Sequence, residues 1–334
     1  MNSNQEIKDS DVKSAIGQPL RERVGLVVDA IDTITAVTSI TTAEGSGVRQ
    51  IWMTQSPFSP DTITICATAA AKTSTIRMGT AIVPAYPRHP LALAQQALAM
   101  NDIAPGRFRL GIGPSHRPLM EGIYGLPHKK PLSYMREYFQ ILRSVLSEGK
   151  VNHHGHFFNV VATMPRTSKI PLLISTLGEK AFLLAGEISD GALSWLCPIP
   201  YLLKTGLPAL RRASSSNERS EPPLVAHVLV ALSEDGTLIL EKGHQLLSYY
   251  SKLPFYAKMF TDAGFPIITS DDRDKTNVPD SLVKSLVISG NELTIAAKFK
   301  ELLSTGLSEL MVTIVPILDM QAEQKQLMNL IGGL

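Results

Sequence analysis

The side chains placed to do chemistry in this chain are small, polar or imidazole groups, each standing just after a short apolar run. The clearest case is GRFRLGIGPSH at 106–116, where an apolar run gives way to Gly113-Pro114-Ser115-His116. Upstream, GTAIVPAYPRHP at 79–90 carries Ala81-Ile82. Thr54-Gln55-Ser56 follows a third run, Ser175-Thr176-Leu177-Gly178 a fourth, and Trp195 and His227 or Ala231 close two more. If each run is a strand that hands over to a helix, these groups meet on the one face where a β/α fold exposes its ligand-binding loops. That face is poor in acids and bases. It offers no pair of carboxylates, so glycoside hydrolysis is not favoured. His153, His154 and His156 fall on an expected hairpin and read as solvated rather than as metal ligands, so no metal site is expected. Many small groups and few ionisable ones suit a bulky aromatic cofactor that brings its own reactivity.

The elements that must position these groups alternate along nearly the whole chain. Strands are expected over 23–28, 48–53, 76–83, 107–112, 171–175, 191–196, 224–232 and 309–315. Helices are expected over 34–43, over 61–72 with a cap near Ser59, after Pro90 with Leu91, Ala94 and Leu98 on one face, and over 131–147. Further helices are expected around 181–188, over 238–250 and over 320–331, with a small hairpin at 150–160. Eight strands alternating with helices predict an α/β fold of the (β/α)8 TIM-barrel type. The competing doubly wound sheet needs a glycine-rich turn after its first strand. Here that strand runs into Asp29-Ala30-Ile31-Asp32. Gly111-Ile112-Gly113 also fails as a dinucleotide fingerprint, because His116 stands where the third glycine belongs. The segment 233–290 is too long for a simple crossover between strands 7 and 8. It reads as a helical and loop insertion carrying Tyr256, Phe255, Phe260 and Phe265, with 269–279 charged and loop-like. It is either a lid over the active-site face or a peripheral decoration.

Composition sets outer bounds. The chain has 334 residues, of which 44% are hydrophobic, enough for a large core. The net charge is +2, which gives no reason to expect nucleic acid or an anionic membrane as a partner. Cys66 and Cys197 sit in apolar sequence and read as buried small hydrophobes. No apolar run reaches the ~20 residues of a membrane span. The polar N-terminus lacks a signal-peptide core, so a cytoplasmic location is expected. Residues 1–21 are expected to form a loose tail, and 22–334 one barrel domain.

YPRHP, an Ala-rich helix and GRFRLGIGPSH, together with GEKAFLLAGEISDGALSWL, closely resemble the luciferase-like monooxygenase superfamily, in particular its F420-dependent (deazaflavin) branch. The resemblance extends over about 22–333. It implies a non-prolyl cis peptide at Ala81–Ile82, in a bulge that supports the flavin or deazaflavin ring. It implies a cofactor phosphate near Ser175, Thr176, Leu177 and Gly178, where a helix N-terminus would also present N–H groups; an ordinary cap by Ser175 or Thr176 is the alternative. Trp195 matches a tryptophan beside the ring, though a lone strand aromatic could equally be core. Gly113, Pro114 and Ser115 are expected against the cofactor.

Two departures separate the chain from bacterial luciferases. Ser56 stands where they carry a histidine base, and Pro114 where an arginine meets the phosphate. The resemblance therefore implies an oxidoreductase that moves a hydride between coenzyme F420 and a small organic substrate. Ser56, Gln55 and His116 are the expected catalytic donors. The alternatives are an FMN-dependent monooxygenase, supplied with reduced cofactor by a partner reductase, and a non-catalytic flavin-binding protein. Family members usually form homodimers, so a homodimer is expected.

Overall fold

The computed structural model describes residues 18–29, 31–269 and 276–334. Most of the expected 1–21 tail lies outside the described residues; its end is ordered, with Leu20–Arg23 forming a helical turn. Eight parallel strands close into a barrel: Val24–Val28, Gln50–Met53, Arg77–Thr80, Phe108–Gly113, Leu172–Thr176, Gly191–Ser194, Leu224–Ala231 and Glu309–Ile314. They neighbour one another in chain order, and the eighth pairs back onto the first at Val24↔Leu310. These runs are mostly apolar because both faces of a barrel strand are buried, one inside and one beneath the helices.

The helices start where the sequence supplies caps. Asp32 accepts from the Thr35 N–H at 2.8 Å and opens Thr33–Gly45. Asp61, not Ser59, caps Thr62–Ala70, accepting from the Thr64 N–H at 2.9 Å. Ser59 instead closes the preceding turn, its hydroxyl lying 3.2 Å from both the N–H and the carbonyl of Ser56. In Pro90–Ile103 the buried stripe is Leu93, Ala94, Ala97 and Met100, one step round from the expected face; Leu91 and Leu98 are only half-buried. The helix Pro131–Glu148 carries the hairpin Lys150–His154/Asn159–Thr163 on its flank. Glu137 accepts from the backbone N–H of His156, Phe157 and Phe158 and lies 3.2 Å from His153 Nε2. Of the three clustered histidines, His153 is therefore docked on this helix, while His154 and His156 are exposed.

The insertion lies between the seventh and eighth barrel strands, as the sequence reading has it. It contains the helices Gly236–Ser251, Pro254–Asp262 and Asp280–Leu286. The expected loop at 269–279 is partly sheet: Ile268–Thr269 pairs antiparallel with Thr276–Asn277, and residues 270–275 lie outside the described residues. Val287–Ser289 then pairs alongside the seventh strand. A helix the sequence reading did not separate, Glu292–Ser304, leads into the eighth strand. Among the described residues, no helix is long and apolar enough to cross a membrane.

Candidate active site

The C-terminal ends of the strands open into a cavity of about 1230 Å3. Gln55, Ser56, Ala81, Ile82, Pro114, Ser115, His116, Trp195 and the turn Ser175 to Gly178 all line it. Sequence reasoning thus named one contiguous surface with two exceptions, Gly113 and Ala231, the alternative to His227 on the seventh strand. Gly113 does not line the cavity. A Cβ there would stand 2.3 Å from Ser175 Oγ and 3.0 Å from Ile82 Cγ1, so its lack of a side chain makes room for protein, not ligand.

The floor is the bulge after the third strand. The Ala81–Ile82 peptide is cis, and Val83–Pro84 rejoins the fourth strand opposite Ile112 and Gly113. Two local devices fix the bulge. Thr80 Oγ1 donates to the Gly111 carbonyl at 2.8 Å and accepts from the Gly111 N–H at 2.9 Å. Gly111 permits this contact, because a Cβ would stand 1.9 Å from the Thr80 carbonyl oxygen.

On the side of the fifth strand, the helix Glu179–Ile188 starts at Gly178 with no side-chain cap. Thr176 is turned away from the helix end and donates to the Leu193 carbonyl at 3.2 Å. The N-terminal N–H groups therefore stay open toward the cavity, where Lys130 and Lys180 also stand. A Cβ at Gly178 would meet nothing within 4 Å. Open N–H groups and the positive end of a helix can receive an anion, and the one carboxylate in this first turn, Glu179, is held by Arg212 at 2.9 Å.

The polar groups over the floor differ in what they can still do. Gln55 is committed at both ends of its amide, donating to the Ser56 carbonyl at 2.9 Å and accepting from the Thr62 N–H at 2.8 Å. Ser56 Oγ accepts from the Phe58 N–H at 3.2 Å and keeps its own proton to give. His116 follows Ser115, whose φ of 59° turns the chain. Its Nδ1 is buried and meets no partner among the described residues. Burial, with His128 nearby, pushes the His116 imidazole down to about 4, so at neutral pH it is uncharged.

Trp195 is stacked at 3.7 Å and 12° on His227, and its Nε1–H donates to the Tyr250 hydroxyl at 3.2 Å. His227 Nδ1 accepts from the Leu196 N–H at 3.3 Å, which places the ring proton on Nε2, facing Thr313 Oγ1 at 2.9 Å. Burial pushes this imidazole down to about 3.

Lining groups that the sequence reading did not single out include Asp29, Tyr250, Lys130 and Lys180. Asp29 ends the first strand and opens into the cavity, where the surrounding wall pushes its carboxyl above the usual range. The strand-end rule could have found it. Tyr250 comes from the insertion, where no strand end points to it, as does Tyr256, which the sequence reading placed among the aromatics of a possible lid. Tyr256 lies 5.3 Å from the His116 ring and 4.9 Å from Tyr250, so one row of rings joins the fourth-strand loop to the insertion.

Comparison with known proteins agrees with this geometry. The model of the luciferase-like monooxygenase family matches residues 19–309. A Mycobacterium tuberculosis protein provisionally named a coenzyme F420-dependent oxidoreductase is 26% identical over 75% of this chain and 82% of its own length. An F420-dependent secondary alcohol dehydrogenase, solved with an F420–acetone adduct, superposes with a TM-score of 0.76 at 13% identity, covering 92% of this chain and 97% of its own. The coenzyme F420-dependent tetrahydromethanopterin reductase of Methanopyrus kandleri superposes at 0.74 with 20% identity, covering 93% and 97%.

Proposed function

The chain belongs to the luciferase-like monooxygenase family and is a flavin- or deazaflavin-dependent oxidoreductase, and on that premise we propose that its cofactor is coenzyme F420. Its reaction, in this reading, moves a hydride between that coenzyme and a small organic substrate. When bound, F420 supplies a ring that takes or gives a hydride pair and reacts poorly with oxygen.

The observation that carries the reading is the cradle itself. The apolar side chains of Ala81 and Ile82 face the same cavity as the uncapped helix end at Gly178. A planar ring fits the first and a phosphate the second. Ile82 and Ala81 would support the ring. The N–H groups after Gly178, with Lys180 and Lys130, would hold the phosphate. Ser115 and His116 would close the side of the fourth strand. The choice of F420 over FMN draws support from Ser56 and Pro114, which replace the histidine and arginine that the resemblance to bacterial luciferases would require. Neither supplies a base or a cation. What remains near the ring site is a neutral donor set, Ser56 and the uncharged His116, suited to orienting a substrate oxygen.

Titration of the purified protein with each cofactor, followed by ring fluorescence, tests this. Saturable F420 binding with much weaker FMN binding is expected. Tight FMN binding with none for F420 would reverse the assignment. Binding of F420 without any bleaching on addition of alcohols would favour a non-catalytic binding protein.

A further inference from the structure

The cavity has two chemically different sides. Lys130, Lys180 and the open helix end lie on the side of the fourth and fifth strands. Across the barrel, the seventh, eighth and first strands are consecutive neighbours. That arc contributes Asp29 and, through the first helix of the insertion, Leu246, Tyr249 and Tyr250, while Tyr256 on the next helix reaches over to His116 on the fourth-strand side. Lys258 also lines the cavity, but its Nζ is held by Asp262 at 2.9 Å. With the Asp29 carboxyl present and no cation among the described residues of this arc, this side disfavours an anionic substrate group. Its rings and aliphatic chains favour an apolar body.

One polar group on this side has an unused valence. Indole N–H can only donate, so the Tyr250 oxygen is the acceptor in its bond to Trp195. Its own O–H proton meets no acceptor among the described residues. The bond to Trp195, itself stacked on His227, fixes where the oxygen sits. Burial, with Tyr249 and Asp29 nearby, holds the phenol above its usual pKa, so the proton stays on.

We infer that Tyr250 is the hydrogen-bond donor to the substrate's oxygen, and that the substrate is a neutral compound with a carbonyl or hydroxyl group on an apolar body. This deepens the proposed reading and depends on it for calling the ligand a substrate. Trp195 is then a positioning residue, since it acts through Tyr250. A donor fixed in place before the ligand arrives costs little ordering when it binds.

The test uses the cofactor-free protein, cyclohexanone as probe and cyclohexane as its oxygen-free counterpart. The chain has two tryptophans, and Trp52 is fully buried low in the barrel, so ligand entry is read from Trp195 emission. In the wild type, cyclohexanone should bind about 2- to 10-fold more tightly than in Tyr250→Phe, the range expected for one neutral hydrogen bond. Cyclohexane should bind both proteins equally. The infrared band of carbonyl-labelled cyclohexanone should lie lower in the wild type than in Tyr250→Phe, a shift that a purely structural role would not produce. Equal ketone affinity and equal band positions would overturn the inference. So would parallel losses for ketone and hydrocarbon, which would mean packing alone, or failure of the wild type to take up the ketone. F420 affinity is measured in parallel and should match in the two proteins. If neither binds F420, the cofactor assignment fails while the ketone measurements still decide the role of Tyr250.

Discussion

His227 shows how much one residue's surroundings decide. Its ring is sandwiched under Trp195 and bonded at both nitrogens, with no carboxylate to offset burial. The folded state holds it down to about 3, whereas the unfolded chain leaves it near 6.5. Acid therefore protonates the unfolded chain first. The contribution to stability is complete above about pH 6.5 and is lost as pH falls toward 3. His116 acts with the same sign, over a window that ends near 4. Thermal melts from pH 7 to pH 5, above the range where most carboxylates titrate, should show the wild type losing stability and His227→Gln losing less. Parallel curves would sink the idea. Gly113 gives a second prediction at this scale. Valine there would drive its Cβ into Ser175 and Ile82, at a cost of about 1–3 kcal/mol of overpacking. Both cofactor affinity and the melting temperature should fall. The sequence reading has Gly113 against the cofactor. The residue's position in the site was legible, but which neighbour needed the space was not, because that neighbour is some 60 residues away in sequence.

At the scale of elements, the barrel is closed at its lower end by charge. Arg109 on the fourth strand bonds Glu309, the first residue of the eighth, at 2.7 and 2.9 Å, and also bonds Gln50 on the second. Its guanidinium lies 4.4 Å from the centre of the Trp52 ring. The ring fits there because Gly25 and Gly79 leave it room. Burial alone would raise the Glu309 carboxyl, but Arg109 and Arg77 pull it below the usual range. Removing one partner strands the other in the interior, typically at about 3–5 kcal/mol. Glu309→Gln should thus be strongly destabilised in urea, while Arg109→Met combined with Glu309→Leu should recover much of the loss. Cofactor affinity of the folded fraction should not change, because this layer lies at the opposite end from the cavity. A mild effect of Glu309→Gln would show that the pair is well solvated. The eight strands were legible because each is a short apolar run bounded by polar residues. The stretch between the sixth and seventh strands was not. There Ile199–Tyr201 continues through a π-helical Leu202–Gly206 into Leu207–Ser216. Gly206 and Pro208 look like breakers, yet Gly206 makes room for the Phe182 ring and Pro208 sits in the first turn of the last segment.

For the whole molecule, the question is what covers a group of strongly exposed apolar side chains at one end of the barrel. Ile31 and Ile34 follow the first strand and are 83% and 81% exposed. Phe58 follows the second at 82%, and Leu318 follows the eighth at 88%. These three strands are consecutive around the barrel, so the four side chains occupy one arc of its rim. Nothing in the sequence pattern distinguished them, because exposure depends on the completed fold: Ile31 and Ile34 read like any other apolar residues flanking a helix start. Apolar groups gathered this way on a soluble surface mark association. A second copy related by a two-fold axis would bury the same arc twice, which is the commonest way for a homodimer to form. Light scattering at micromolar concentration should therefore give twice the chain mass of 36.3 kDa. Ile34→Glu combined with Leu318→Glu should return the mass to that of one chain. The variant should stay folded, since neither side chain packs on the core, with any fall in melting temperature limited to the lost association. A wild-type mass of 36.3 kDa at that concentration would refute the dimer. A dimer that survives both substitutions would place the interface elsewhere, on the outer faces of the barrel helices.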